Sequence, residues 1–268
     1  MRFFCLVALL CLAMSVPAQA AERILALAPH ICETLFAIGA GQEVVGAVDY
    51  CDYPPEAQKV PRVGNYLGVN AEAALRLAPT IVIAFNGADP GLKPLASQGV
   101  RIVVSKPRKL SEVIEDIRRI GVAVHHEQEA TQLADALQAK LASLVAVVPQ
   151  ERMPAFYEIW HKPLIAPASD SFITDLLGLA GFRQVYAGYP GESVRASLEG
   201  VVHSHPEVVI IPDENRDLEE RKRFWRKWLG KDIRIFGVPH DLVHRPGPRL
   251  VDALEELVRI RLELAHGR

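Results

Sequence analysis

One segment of this chain occurs twice. Asn70-Ala-Glu72, followed by Pro79 and the run Ile81-Val82-Ile83, returns as Ser197-Leu-Glu199, Pro206 and Val208-Val209-Ile210, every position displaced by the same 127 residues (70 to 197, 79 to 206, 81 to 208). In each copy a good helix-capping residue opens the segment and a glutamate sits in the first turn, where the helix dipole favours a negative charge. A proline then ends the helix ahead of a buried strand. Such a unit, repeated at this distance, requires two equivalent α/β lobes, each showing one acidic side chain at a helix start: Glu72 and Glu199.

Hydrophobic patterning fills in both lobes. Strands are predicted over Ile24–Ala28, Val44–Val48, Ile81–Ala84 and Arg101–Val104, with helices over Ile31–Ile38, from Ala71, near Leu92–Gln98 and from Ser111. From Gln128 to Val148 there is neither Gly nor Pro, and Leu133, Leu137, Leu141, Leu144 and Val148 share one face, so the lobes are joined by a long stiff helix ending at Pro149. Such a connection predicts little movement of one lobe against the other on binding. The second alternation runs through Ala155–Ile159, a helix over Ser171–Leu179, the helix after Ser197, Val208–Ile211, a basic helix around Phe224–Leu229, Ile233–Val238 and a last helix from Arg249 to about His266. The predicted fold class is α/β with parallel-type sheets: a leader over 1–20, an N-terminal lobe over 21–125, a connecting helix over 126–149 and a C-terminal lobe over 150–268.

The leader is read from Met1-Arg2, the apolar run Phe3–Met14 and the small-x-small site Ala18-Gln19-Ala20, so the exported chain is expected to start at Ala21. That run is too short for a membrane anchor. With 50% apolar and 23% charged residues the chain is not disordered, and a net charge of −2 argues against nucleic acid as a partner. No Gly-x-Ser-x-Gly, P-loop, dinucleotide-binding turn or His-Glu-x-x-His occurs, which favours a binding protein over an enzyme. Outside the leader only Cys32 and Cys51 remain, each following a predicted strand, in a compartment where disulfides persist. They either bridge or stay as two buried thiols; their spacing fits no zinc pattern.

Between Val44 and Gly87 a Pro/Gly/Asn-rich loop with clustered tyrosines is held between buried strands, as a binding lip would be. Its run Tyr50-x-Asp52-Tyr53-Pro54-Pro55-x-Ala57-Gln58-Lys59, then Gly68-x-Asn70-x-Glu72 and Ile83-Ala84, resembles the vitamin B12-binding family of bacterial cobalamin ABC importers, class III periplasmic substrate-binding proteins. The resemblance continues through Ser197-x-Glu199 to Asp241-x-x-x-Arg245-x-x-Pro248-Arg249, nearly the whole exported chain. It implies a periplasmic monomer that holds a corrinoid in the inter-lobe cleft and docks on an inner-membrane permease, with its ATPase, through Glu72 and Glu199. It makes Tyr50 a corrinoid contact, with Tyr66 and Phe85 on the same wall, and sets the loop of Asp241, Leu242, Val243, His244 and Arg245 opposite; Trp160 is expected to stand in there for part of the family's aromatic surface. No cofactor, catalytic residue or metal site of the protein's own is implied, and haem or a ferric siderophore are the alternative ligands. The chain departs from the family pattern where tryptophans are replaced by Tyr66, Phe85, Ser193 and Leu242, and where Ile159 and Ile165 stand at phenylalanine positions.

Two further features admit other readings. His30, His161, His240 and His244 all follow strands, where ligands of open α/β sheets bind, so the alternatives are a direct metal site or one histidine touching the ligand's metal. Phe85 and Asn86, following the third strand, are poor metal ligands. The basic segment Glu219–Lys231 carries the stripe Phe224, Trp225, Trp228, Leu229; it is expected to pack on its lobe, although a membrane-surface helix has a similar pattern.

Overall fold

The structure, a computed structural model, describes residues 21–65, 67–213 and 218–267; the leader and Tyr66 lie outside them. The N-terminal lobe runs β1 (Ile24–Leu27), α1 (Pro29–Ala37), β2 (Val44–Val48), β3 (Arg62–Asn65), β4 (Gly68–Val69), α2 (Ala71–Arg76), β5 (Ile81–Ala84), α3 (Leu92–Ser97), β6 (Arg101–Val104) and α4 (Leu110–Ala123). Its strands form one sheet in the order β4-β3-β2-β1-β5-β6, parallel except for the β3–β4 pair. After α5 (Glu127–Ala146) the C-terminal lobe runs β7 (Met153–Tyr157), β8 (Trp160–His161), β9 (Leu164–Pro167), α6 (Phe172–Leu179), β10 (Phe182–Gln184), β11 (Ser193–Arg195), α7 (Leu198–His203), β12 (Val208–Asp213), α8 (Leu218–Leu229), β13 (Arg234–Pro239), α9 (His240–Val243) and α10 (Leu250–His266). Here a parallel sheet β10-β7-β12-β13 is accompanied by a small antiparallel sheet β11-β9-β8.

Because side chains alternate across a strand, each central strand feeds two cores. Ile24, Ala26, Ile81 and Ile83 point one way, and Leu25, Val82 and Ala84 the other. In the second lobe Ala155, Tyr157, Val208 and Ile210 face inward, and Phe156, Val209 and Ile211 outward. The inward faces of both lobes belong to a single continuous core, so the lobes are packed together rather than merely tethered. Helix α5 buries Ala130, Ala134 and Leu141 and packs Leu133, Leu137 and Leu144 on that shared core, with Val148 joining them two residues past its end. Its Lys140 pairs with Asp252 (2.8 Å) and Glu255 (2.6 Å) on α10.

The repeat is preserved atom for atom at its ends. Asn70 Oδ1 and Ser197 Oγ each accept from the backbone N–H three residues on, at 3.0 Å, and two residues past the ends of α2 and α7 come left-handed Ala78 (φ 44°) and His205 (φ 47°), again 127 apart. Helix α8 packs on its lobe: Trp225 is fully buried, and Glu158 accepts from Arg221 Nε (2.8 Å), Arg221 Nη2 (2.6 Å) and Trp225 Nε1 (2.7 Å). No helix among the described residues is long and apolar enough to cross a membrane.

Candidate functional site: the cleft between the lobes

Strand β1 lies between β2 and β5, so the chain leaves it to one side and later returns on the other. Loops after β1 and β5 therefore diverge, leaving the crevice in which ligands of open α/β sheets are held. A cavity of about 310 Å³ sits there, lined by Leu27, Ala28, Tyr50, Phe85 and Asn86 among others. Tyr50 has left-handed backbone (φ 63°), a conformation that strains a residue with a Cβ and persists only where neighbours enforce it. The next residue supplies that enforcement: Cys51 is disulfide-bonded to Cys32 of α1, and its carbonyl accepts from Arg62 Nη2 at 2.7 Å. The ring is thereby held out from the strand end, 69% exposed.

A second cavity, about 380 Å³, opens between the lobes. Phe85, Lys106 and Arg108 line it from the N-terminal lobe, and Ile159, Ile165, Phe172 and His244 from the other. Phe85 borders both cavities and so forms the partition between them. Behind it, buried His30 meets its ring edge-on (centroids 5.6 Å) and lies 3.3 Å from Ser105 Oγ, which donates to Asp116; these contacts fix the partition from its rear. Its charged lining is Lys106 and Arg108 on one lobe and Asp170 and Glu192 on the other, and Lys106 Nζ reaches Glu192 across the cleft at 2.7 Å.

His30 in the core and His244 on the cavity wall are both neutral at neutral pH when the chain is folded. Burial holds His30 down to about 4 against a weaker upward pull from Ser105, and burial, helped by the charge of His240, holds His244 down to about 3. His244 Nε2 lies 3.1 Å from the Tyr157 hydroxyl, whose own pKa burial pushes well up. Unfolding releases both imidazoles to their ordinary value of 6.5, so the stabilisation is complete above that pH and is lost as pH falls towards 4 and below. Unfolding free energy measured in urea should therefore drop below pH 6.5 by about 1.4 kcal/mol per pH unit for each histidine. His244→Gln should remove about one proton's share of that slope; an unchanged slope would show that His244 does not titrate on unfolding.

Beside His244 the lobes are clamped by charge. The Arg245 guanidinium, 8% exposed, donates from Nη1 to Glu33 (3.0 Å) and Asp52 (2.6 Å), and from Nη2 to Asp241 (2.9 Å). Arg249 adds Nε and Nη2 bonds to Glu33 (2.9 and 2.6 Å) and lies 3.8 Å over the Tyr53 ring. Burial alone would raise Asp52, but hydrogen bonding and charge from Arg245 hold it below its ordinary value. Glu33 and Asp52 each adjoin a half-cystine, so the disulfide that shapes the Tyr50 turn also sets the spacing of the two acids. Gly247 completes the joint: a Cβ there would lie 3.1 Å from His30 Cβ and 3.2 Å from its carbonyl oxygen, so glycine lets the segments meet backbone to backbone.

The family described as periplasmic binding protein matches residues 24–225. The chain belongs to the periplasmic binding protein family. It is 29% identical over 241 residues to the vitamin B12-binding protein of Photorhabdus laumondii, covering 88% of this chain and 86% of that one. The periplasmic vitamin B12 binding protein BtuF of Vibrio cholerae superposes with a TM-score of 0.79 at 27% identity, over 92% of this chain and 99% of that one. A periplasmic haem-binding protein from Roseiflexus shares the fold with the same TM-score at 24% identity, over 89% and 97%. The family is one of binding proteins rather than enzymes, and the fold is that of its class III members.

In this periplasmic binding protein the residues singled out from sequence take different stations. Tyr50 and Phe85 line the first cavity, and Phe85 and His244 the second. Trp160 lines neither of the two; it is 46% exposed, with its indole N–H donating to the Lys162 carbonyl at 2.9 Å. The five-residue stretch expected to form a ligand wall is a short helix and its exit, whose side chains diverge. Val243 is in the core, Leu242 packs against it, Asp241 is spent on Arg245, and Arg245 on the clamp, so of the five only His244 faces the chamber. Tyr66 is outside the described residues. Ile159, Ile165 and Ser193, marked in the sequence as departures, do line the inter-lobe cavity. Lys106, Arg108, Phe172 and Glu192 also line it and were not anticipated; the one pointer to the first two was their place just after strand β6. Glu72 and Glu199 stand exposed at the matched helix starts, Glu72 paired with Arg76 at 2.7 Å. Among the described residues no group of three or more His, Cys, Asp or Glu could hold a metal ion.

Proposed function

We propose that this protein is the periplasmic substrate-binding component of an ABC importer, capturing cobalamin or a related corrinoid between its lobes and delivering it to the permease. The observation carrying the reading is the pair of cavities on either side of Phe85, walled by Tyr50 on one side and by Ile159, Ile165 and Phe172 on the other. A corrinoid is a large, flat, mostly apolar macrocycle, and rigid aromatic and branched side chains meet such a surface at low entropic cost. The names of the similar proteins agree with it. Haem is the second reading, favoured by the cationic corner at Lys106, which suits a carboxylate-bearing macrocycle. The leader directs export and is removed after Ala20, the ligand is cargo rather than cofactor, and the carrier acts as a monomer.

Replacing Phe85 with alanine should weaken cobalamin binding by about thirtyfold, the effect of roughly 2 kcal/mol for one buried aromatic anchor. Calorimetric titration of the variant decides it; wild-type affinity would remove Phe85, and with it the proposed seat of the ligand, from the site.

Delivery uses the repeated helix starts. A pseudo-twofold permease can meet Glu72 and Glu199 together, and rim charges of this kind set orientation and encounter more than affinity. Glu72→Ala with Glu199→Ala should leave cobalamin affinity intact while uptake through the cognate permease falls sharply, each single change having the smaller effect. Full uptake by the double variant would contradict this docking role.

A further inference from the structure

We infer that Lys106 and Arg108 form the subsite for the anionic part of the ligand, and that Glu192 holds Lys106 in its place until the ligand arrives. This rests on the proposed function and adds the chemistry by which the cleft selects among macrocycles. Four observations carry it. Lys106 and Arg108 both line the inter-lobe cavity from the segment that follows β6, whereas the surfaces facing them include Ile159, Ile165 and Phe172. Two cations thus stand on one lip of a chamber whose far wall sets that apolar surface beside the acids Asp170 and Glu192. Lys106 is aimed across it: Nζ meets Glu192 of the other lobe at 2.7 Å and lies 5.5 Å over the ring of Phe85, the side chain that partitions the cleft. The Arg108 guanidinium makes no hydrogen bond or ion pair with any described residue; only its backbone N–H is used, donating to Glu112 at 2.7 Å.

Size supplies the fourth point. Cavities of about 380 and 310 Å³ lie at the lower end of the roughly 300–1,000 Å³ that holds a drug-sized ligand, and a corrinoid is larger than that. A corrinoid seated here has to part the Lys106–Glu192 bridge. That exchange is cheap, since the two side chains are 41% and 50% exposed and such pairs hold weakly. A phosphodiester or carboxylate of the ligand then takes the position of the Glu192 carboxylate on Lys106, and the Arg108 fork, lying on the same lip, offers it a second charge-assisted partner. Asp170, which accepts from Ser169 Oγ at 3.1 Å, and Glu192 line the same chamber as acids and repel a misplaced anion from the opposite lobe.

The test is calorimetric titration of the full chain at low salt with cobalamin, which carries a nucleotide phosphodiester, and with cobinamide, a corrinoid without it. Lys106→Gln with Arg108→Gln should bind cobalamin at least about tenfold more weakly while cobinamide changes by less than about twofold. Glu192→Gln, which releases Lys106, should bind cobalamin more tightly than wild type. All the altered side chains are exposed, and unchanged melting temperatures check that the fold is intact. Equal losses for both corrinoids, or no loss for cobalamin, overturn the subsite. If the wild type takes haem and no corrinoid, the corrinoid function is what fails, and the subsite stands on haem against haem dimethyl ester: the double variant must weaken the free acid alone. Wild-type binding of none of the four ligands overturns both.

Discussion

Arg245→Met is expected to cost about 3 kcal/mol of stability, because breaking a buried ion pair strands the partner charges. For a chain of this size that corresponds to a fall of roughly 6–12 °C in melting temperature. Glu33 is 3% exposed and takes bonds from both Arg245 and Arg249, so losing Arg245 leaves its carboxylate half-compensated inside the joint. Asp52 loses the guanidinium that keeps its pKa below the ordinary 3.8. A carboxyl whose folded pKa is depressed stabilises above its unfolded value and ceases to do so as pH falls through the lower one. The gap between wild type and variant should therefore be full at neutral pH and narrow below about pH 4. Adding Glu33→Gln to Arg245→Met should recover part of the loss, since the buried group is then neutral. A variant that melts like the wild type but binds cobalamin poorly would return Arg245 to the ligand wall.

Removing the disulfide should have an effect of similar size. Cys32 and Cys51 are 19 residues apart, and a crosslink closing a loop of that order stabilises by about 3 kcal/mol, largely by restricting the unfolded chain. Cys32→Ala with Cys51→Ala should lower the urea midpoint accordingly. Binding should weaken as well, because the left-handed turn that projects Tyr50 depends on its neighbour Cys51. Identical urea midpoints for the wild type before and after reduction would contradict both arguments.

How far such a structure can be read from sequence depends on the range of the interaction. The repeated units were legible because their signals are local: caps at Asn70 and Ser197, stopping prolines, and β-branched runs that become strands β5 and β12. Helix α5 was legible for the same reason, its apolar face recurring with helical period. Strands β8, β9, β10 and β11 were not: all are two to four residues long, too short for a period to show, and β10 and β11 are held by β7 and β9 more than twenty residues away. The i,i+4 pair of Asp241 and Arg245 is visible in sequence and invites a local reading. What gives Arg245 its role is Asp52 and Glu33, 193 and 212 residues away, which no spacing reveals. Lys106 and Arg108 carried no motif at all, and only the meeting of two lobes makes them part of a site.

A cleft that selects a corrinoid should keep it in competition with other iron and cobalt macrocycles and chelates. The direct measurement is the absorption spectrum of the protein after incubation with an equimolar mixture of cobalamin, haem and a ferric siderophore and removal of unbound ligand by gel filtration. A cobalamin spectrum at one equivalent per chain is expected. A haem Soret band, a siderophore charge-transfer band or a colourless protein would contradict it.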